Sequence, residues 1–261
     1  MIGVFDSGVG GLTVLKALRK AMPRQDFLYL GDTARVPYGR KPPEMVREFA
    51  REITSFLEAQ GAEAIVVACN TASAVALNDL KAEFKVPIWG VIEPGVEAAA
   101  RATASGSVGV IGTRGTIASG AYQKRLEQRG FRVWARACPL FVHLVEEGLA
   151  DSPEAELMAR YYLADRPAID TLILGCTHYP VLKAVLARVV GSDVKLVESA
   201  SVAAEAVRRT IGEHGQSDAG RITHFVTGDP LAYEHTAAVI GGVDGEVVAV
   251  PVAALRTGTL A

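Results

Sequence analysis

Short apolar runs alternate with amphipathic stretches along most of the chain. Runs rich in Val, Ile, Leu and aromatic residues predict strands at 2–5, 26–30, 64–68, 88–91, 107–111, 132–137, 171–174, 194–197, 223–226 and 246–249. Between them, apolar positions recur at helical spacing and predict helices over 11–21, 43–59, 73–84, 95–104, 119–129, 153–163, 180–190 and 201–213. Strand followed by helix, repeated, marks a mainly parallel sheet with helices on both faces. The near-continuous run Ile65-Val66-Val67 fits a strand buried on both sides.

The halves are patterned alike. In each, an apolar run ends in a cysteine and two hydrogen-bonding residues: Cys69-Asn70-Thr71 in one, Cys176-Thr177-His178 in the other. No repeat with a period of roughly 20–50 residues is present, so the reading is α/β with two similar doubly wound parallel-sheet lobes. The first lobe is expected to hold 1–92 plus about 206–261, and the second 93–205. Glu93-Pro94-Gly95 marks the expected crossover, and the segment after Ser201 is expected to return to the first lobe. With no Pro-rich or low-complexity linker, close packing of the lobes is expected. Long loops at 31–42 and 112–118 are natural places for function.

Composition narrows the classes. The chain's 261 residues suffice for one large or two medium domains. A formal net charge of −2 provides no basic field, so neither nucleic acid nor a membrane surface is expected as partner. No apolar run approaches the ~20 residues that span a bilayer, and the N-terminal run lacks the basic and apolar regions of a signal peptide. Three widely spaced cysteines form no CxxC pattern, which favours free thiols in the cytoplasm.

The two matched cysteines carry the chemistry. Each lies at the carboxyl end of a predicted strand, where open α/β sheets bind ligands. Each faces a helix start, where the dipole favours a thiolate. A buried structural cysteine is the ordinary reading of either one alone, but the second in an equivalent setting argues for a pair of acid/base groups. Two such groups suit removing a proton from one face of a carbon and returning it to the other. His178, two residues from Cys176, is placed to orient or protonate that thiol. A Cys–His hydrolase is an alternative. A metal site lacks the further ligands at recognisable spacing.

Asp6-Ser7-Gly8-Val9-Gly10-Gly11-Leu12-Thr13 follows the first strand and opens the first helix, a setting that suits an anion at backbone N–H groups. It fits neither nucleotide fingerprint, because Thr13 replaces the last glycine of one and Leu12-Thr13 the Lys-Ser/Thr of the other. Asp6 accepts or relays a proton beside a thiol, holds an ammonium group, or caps the helix. Gly31-Asp32-Thr33-Ala34-Arg35-Val36-Pro37-Tyr38-Gly39 is a candidate carboxylate-binding loop. Cys138 reads as a core thiol, and His214, His224 and His235 as residues without a role.

Together these segments, with Gly112-Thr113 and the stretch from Cys138-Pro139-Leu140 to Val145-Glu146-Glu147-Gly148, resemble the glutamate racemase family in family order. The resemblance implies lobes related by a pseudo-twofold axis, with the site in the cleft between them. It implies interconversion of L- and D-glutamate without a cofactor, supplying D-glutamate for peptidoglycan; a homodimer is the expected assembly. Cys69 would act on D-glutamate with help from Asp6, and Cys176 on L-glutamate with help from His178 and Glu146 or Glu147. Substrate would be held by Asp6, Ser7, Pro37, Tyr38, Gly39, Asn70, Thr71, Thr113, Thr116, Thr177 and His178. No Schiff-base lysine motif is apparent, and neither a cofactor nor a metal is expected. His143 departs from the family's proline in Phe-Val-Pro, and Glu198 from its aspartate. Rivals are a racemase of aspartate or another amino acid, and a ligand-binding protein with structural cysteines.

Overall fold

A computed structural model describes residues 1–212 and 219–259. Its strands are β1 (Ile2–Asp6), β2 (Phe27–Gly31), β3 (Ala64–Val67), β4 (Ile88–Gly90), β5 (Ser107–Gly112), β6 (Arg132–Ala137), β7 (Thr171–Gly175), β8 (Lys195–Val197), β9 (Ile222–Val226) and β10 (Glu246–Ala249). Its helices are α1 (Leu12–Ala21), α2 (Pro43–Ala59), α3 (Asn70–Val75), α4 (Leu77–Glu83), α5 (Ile92–Ala102), α6 (Arg114–Ala118), α7 (Ala121–Gln128), α8 (Leu140–Glu146), α9 (Pro153–Tyr162), α10 (Lys183–Val190), α11 (Ala200–Ile211), α12 (Pro230–Val239) and α13 (Val252–Thr257).

Two parallel sheets result. One has six strands in the order β10-β9-β2-β1-β3-β4, the other four in the order β6-β5-β7-β8. The run β2-β1-β3-β4 repeats as β6-β5-β7-β8, so β3 and β7 are equivalent positions. In each sheet the winding reverses beside the first strand, between β1 and β3 and between β5 and β7. Crevices at such reversals, past the carboxyl ends of the strands, are where open sheets bind ligands. Asp6 and Cys69 flank one reversal; Thr113 and Cys176 flank the other.

The helices follow their apolar faces. In α2, Val46, Phe49, Ala50, Ile53, Phe56 and Leu57 are buried at helical spacing, Pro43 opens the helix, and Glu44 lies in the first turn. Each large side chain buried there stabilises the layer by about 1.5–3 kcal/mol. A second core is shared by both sheets: Val4 and Val66 of one and Leu172 and Leu174 of the other belong to a single cluster with α1 and α11 residues.

Some boundaries differ from expectation. The helix expected over 73–84 begins at Asn70 and is broken into α3 and α4 around Ala76. The expected crossover break at Glu93-Pro94-Gly95 lies inside α5, because a proline in the first turn forfeits no intrahelical bond. The loop at 112–118 contains α6, and α8, α12 and α13 are additional helices. The helix expected from 180 starts with a 3₁₀ turn at Tyr179–Leu182. Glu213, the expected end of one helix, and His214 lie outside the described residues.

The glycines after β1 serve close packing across the cleft. A Cβ on Gly10 would lie 2.3 Å from Thr177 Oγ1 and 2.5 Å from the His178 ring. On Gly11 it would lie 2.4 Å from Asp6 Cβ. Gly10→Ala is therefore expected to push the Thr177-His178 turn out of place. Overpacking of this kind costs about 1–3 kcal/mol. A thermal melt should show the loss, with activity falling further than stability alone explains.

Candidate active site

Cys69 follows β3 and is the N-cap residue of α3; Cys176 follows β7 and precedes the 3₁₀ turn. Both are about 5% exposed. They line a single cavity of about 100 Å³ together with Ser7, Asn70, Thr71, Thr113 and Thr177. Pro37, Tyr38 and Gly39 form another part of its wall, and Glu146 and His178 another. Of the residues expected to touch substrate, Asp6 and Thr116 stand behind this lining rather than on it.

The two thiols have different neighbours. Cys176 Sγ lies 3.8 Å from His178 Nδ1, and His178 Nε2 lies 2.9 Å from Glu146 Oε1. Glu146, not its neighbour Glu147, meets the imidazole. Burial works against charge on His178, but the hydrogen bonds with Cys176 and Glu146 outweigh it and raise its pKa from 6.5 to about 10. The ring can thus hold a proton at neutral pH beside Cys176.

That shift has a consequence for stability. A histidine whose folded pKa is raised stabilises the fold fully below its unfolded value and progressively less as pH rises through the folded one. Thermal stability should therefore decline between pH 6.5 and about 10. His178→Gln should flatten that decline; an unchanged slope would contradict the assignment.

Cys69 is held differently. Burial first, and the Asp6 carboxylate second, push its thiol up to about 12, against the pull of the Ala72 and Ser7 N–H groups. The thiol also lies 4.0 Å from Ser7 Oγ. It is therefore a proton donor at neutral pH until a ligand changes its surroundings. Burial likewise raises the pKa of Asp6, while His178, the N–H groups of Gly8 and Gly11 and the Thr177 hydroxyl oppose the shift. Gly8 N donates to Asp6 Oδ1 at 3.0 Å and Thr177 Oγ1 to Asp6 Oδ2 at 3.4 Å. Asp6 thus joins the loop after β1 to the loop after β7.

Further polar contacts bridge the sheets. The Thr71 hydroxyl lies 2.8 Å from that of Thr113 and 3.2 Å from that of Thr116. Tyr122 OH donates to Asn70 Oδ1 at 2.8 Å. Thr13 Oγ1 donates to the Thr177 carbonyl at 3.1 Å. The loop carrying Pro37, Tyr38 and Gly39 is anchored on buried Asp32. That carboxylate accepts from Tyr38 OH, from Arg35 Nε at 2.7 Å and from Thr227 Oγ1 at 2.8 Å.

Tyr122 was not expected at the site, and Gly8, Val36, Val142 and His143, not expected to touch substrate, also stand in the cavity wall. Cys138 is buried in the core. His224 is buried against Tyr233 OH and the Asp244 carbonyl, and His235 is exposed.

Two equivalent strand ends deliver one thiol each into a single cavity, the arrangement expected of a two-base acid/base enzyme of the α/β class. The comparisons agree: the Asp/Glu/Hydantoin racemase family matches residues 2–207, and the chain belongs to that family. A glutamate racemase of Thermus thermophilus is 55% identical over 244 residues, covering 92% of each chain. The Thermus thermophilus glutamate racemase solved with beta-chloro-D-alanine superposes with a TM-score of 0.89, at 53% identity and covering 97% of each chain. That of Francisella tularensis, solved with D-glutamate, gives 0.88 at 33% identity, covering 98% of each chain. No helix among the described residues is long and apolar enough to cross a membrane.

Proposed function

We propose that this protein interconverts L- and D-glutamate by exchanging the Cα proton between Cys176 and Cys69. The observation that carries this reading is the pair of thiols at matching strand ends in one cavity, each with its own polar partner. From L-glutamate, the Cys176 sulfur takes the Cα proton: an S–H bond forms, the Cα–H bond breaks, and the electron pair stays on carbon, spread into the carboxylate. Cys69 then gives its proton to the opposite face, yielding D-glutamate. The reverse reaction begins at Cys69.

His178 takes up or returns charge as Cys176 changes state, and Glu146 holds the ring in orientation. Asp6 plays the corresponding part at Cys69. Hydroxyl and N–H donors from Ser7, Asn70, Thr71, Thr113 and Thr177 bind the polar ends of the substrate and stabilise the developing carbanion. Pro37, Tyr38 and Gly39 shape the remaining wall, and Thr116 supports Thr71 and Thr113. Closure of the lobes excludes water from this exchange.

The reading extends to the assembly. A division into lobes at 1–92 plus about 206–261 and 93–205 is supported by the two separate sheets, although its second boundary falls inside α11. A homodimer is supported by Leu157 and Tyr161, exposed four residues apart on α9. A cytoplasmic site is supported by the three free cysteines, and the family resemblance assigns the product to peptidoglycan synthesis.

Incubating purified protein with L-glutamate, and separately with L-aspartate, tests the substrate. Chiral chromatography should show glutamate approaching equal amounts of both enantiomers and aspartate unchanged. Racemised aspartate with untouched glutamate would overturn the substrate, and ligand binding without isomerisation would overturn the reaction.

A further inference from the structure

A second cavity of about 450 Å³ opens beside the thiol cavity and shares Gly39 and Thr71 with it. Arg40 and Lys41 line it from the loop after β2, and Arg114 from α6. Arg40 and Arg114 also line a cavity of about 190 Å³ that shares Pro37, Gly39, Thr113, Val142 and His143 with the thiol cavity. The three spaces adjoin along the seam between the sheets. Among the described residues, none with a carboxylate side chain lines either outer space.

No carboxylate among the described residues lines these spaces to offset the charges there. Most arginines of this chain hold a carboxylate or a carbonyl: Arg35 binds Asp32 and Glu52, Arg129 binds Glu93, and Arg188 binds Asp151. Among the described residues Arg40 and Arg114, both exposed, hold neither, although they come from different lobes and line the same two spaces. The backbones approach closely at this point. A Cβ on Gly39 would lie 2.6 Å from Thr113 Cβ, and one on Gly115 would lie 3.4 Å from the Gly39 carbonyl. Like charges gathered at a tight seam without an acid favour an anion between them. Cavity walls of low dielectric focus that attraction.

We infer that Arg40, Lys41 and Arg114 form an anion-capture site that takes the carboxylates of a dicarboxylic amino acid on its way to the thiols. This rests on the racemase reading and adds a role for residues outside the proton-transfer machinery. Capture raises the local substrate concentration before chemistry, so it acts on KM and on salt dependence rather than on the proton transfers. Added salt screens such a site over about 8–10 Å at moderate ionic strength.

The test is the racemisation of glutamate by the wild-type protein and by the double variant Arg40→Gln/Arg114→Gln, at low and high salt. The double variant should raise KM by about five- to tenfold at low salt, with a far smaller change in kcat. Its KM should also lose the salt dependence of the wild type. Arg40→Lys/Arg114→Lys, which keeps the charge, should restore most of both, a rescue not expected from misfolding. Inorganic phosphate should compete with glutamate in the wild type and much less in the Gln variant. An unchanged KM and salt slope in the Gln variant, beside normal wild-type turnover, would overturn the capture site and leave the racemase reading intact. Phosphate lowering kcat without raising KM would place the anion away from the substrate's path and also overturn it.

Discussion

Cys69→Ala and Cys176→Ala are each expected to lower kcat/KM for glutamate by at least about 10³-fold, since a positioned acid or base contributes about 10²–10⁴-fold. No neighbouring side chain replaces either thiol. His178 is held by Glu146 at 2.9 Å on one side and faces Cys176 on the other. Asp6 is committed to Gly8 and Thr177. Because the enantiomers have equal free energies in water, each substitution must lower kcat/KM by the same factor in both directions. Asymmetry can appear only in kcat and KM taken separately. The check is steady-state kinetics from both enantiomers by circular dichroism. A single cysteine variant retaining wild-type rates would remove the two-base mechanism.

The second large effect concerns the group behind Cys176. His178→Asn is expected to cost about 10²-fold in kcat, and Glu146→Gln about tenfold. The order follows from geometry. His178 is fully buried and touches the thiol, whereas Glu146 acts through the ring and its side chain is 33% exposed. A structural role alone would show as lost melting temperature without a changed pH profile. With a catalytic role, the alkaline limb of kcat/KM, set in the free wild-type protein by a group near pH 10, should disappear in His178→Asn. Equal kinetics for Glu147→Gln and Glu146→Gln would contradict the pairing found here.

Much of this architecture is legible in the chain. Every expected strand forms; the central ones, such as β1, β3 and β7, read as apolar runs because they are buried on both faces, whereas β6, β8 and β10 are partly exposed. The two cysteines are recognisable because they occupy the same place in two similar patterns. The missed helices have local causes. The α6 helix has five residues, too few for periodicity, although Thr113 caps it by accepting from Thr116 N. The α12 helix starts with Asp229 as cap and Pro230 in its first turn, a legible start signal. The break after α3 has no glycine or proline to announce it. Ser73 bonds to the Val67 carbonyl and to Val91 N, tying that short helix to the sheet instead of to a longer helical run.

The choice between Glu146 and Glu147 was not legible, since adjacent residues on a helix differ only in the direction they face. That direction depends on how α8 packs beside the turn at His178. The glycines after β1 have a second role that their pattern does not show. Their pattern reads as an anion-binding turn, and Gly10 must also be small because Thr177 and His178 press against it from the other sheet. Contacts of this kind join residues about 170 positions apart, as Asp6 and Thr177 are, and no local pattern encodes them.

The most direct measurement of the central claim is turnover of L-glutamate in D₂O, stopped at low conversion, with both enantiomers separated and weighed for deuterium at Cα. Two thiols on opposite faces predict D-glutamate carrying one deuterium at Cα, while the remaining L-glutamate keeps its protium. D-glutamate that retains the original protium, or both enantiomers labelled alike from the start, would mean a single base and would contradict the account.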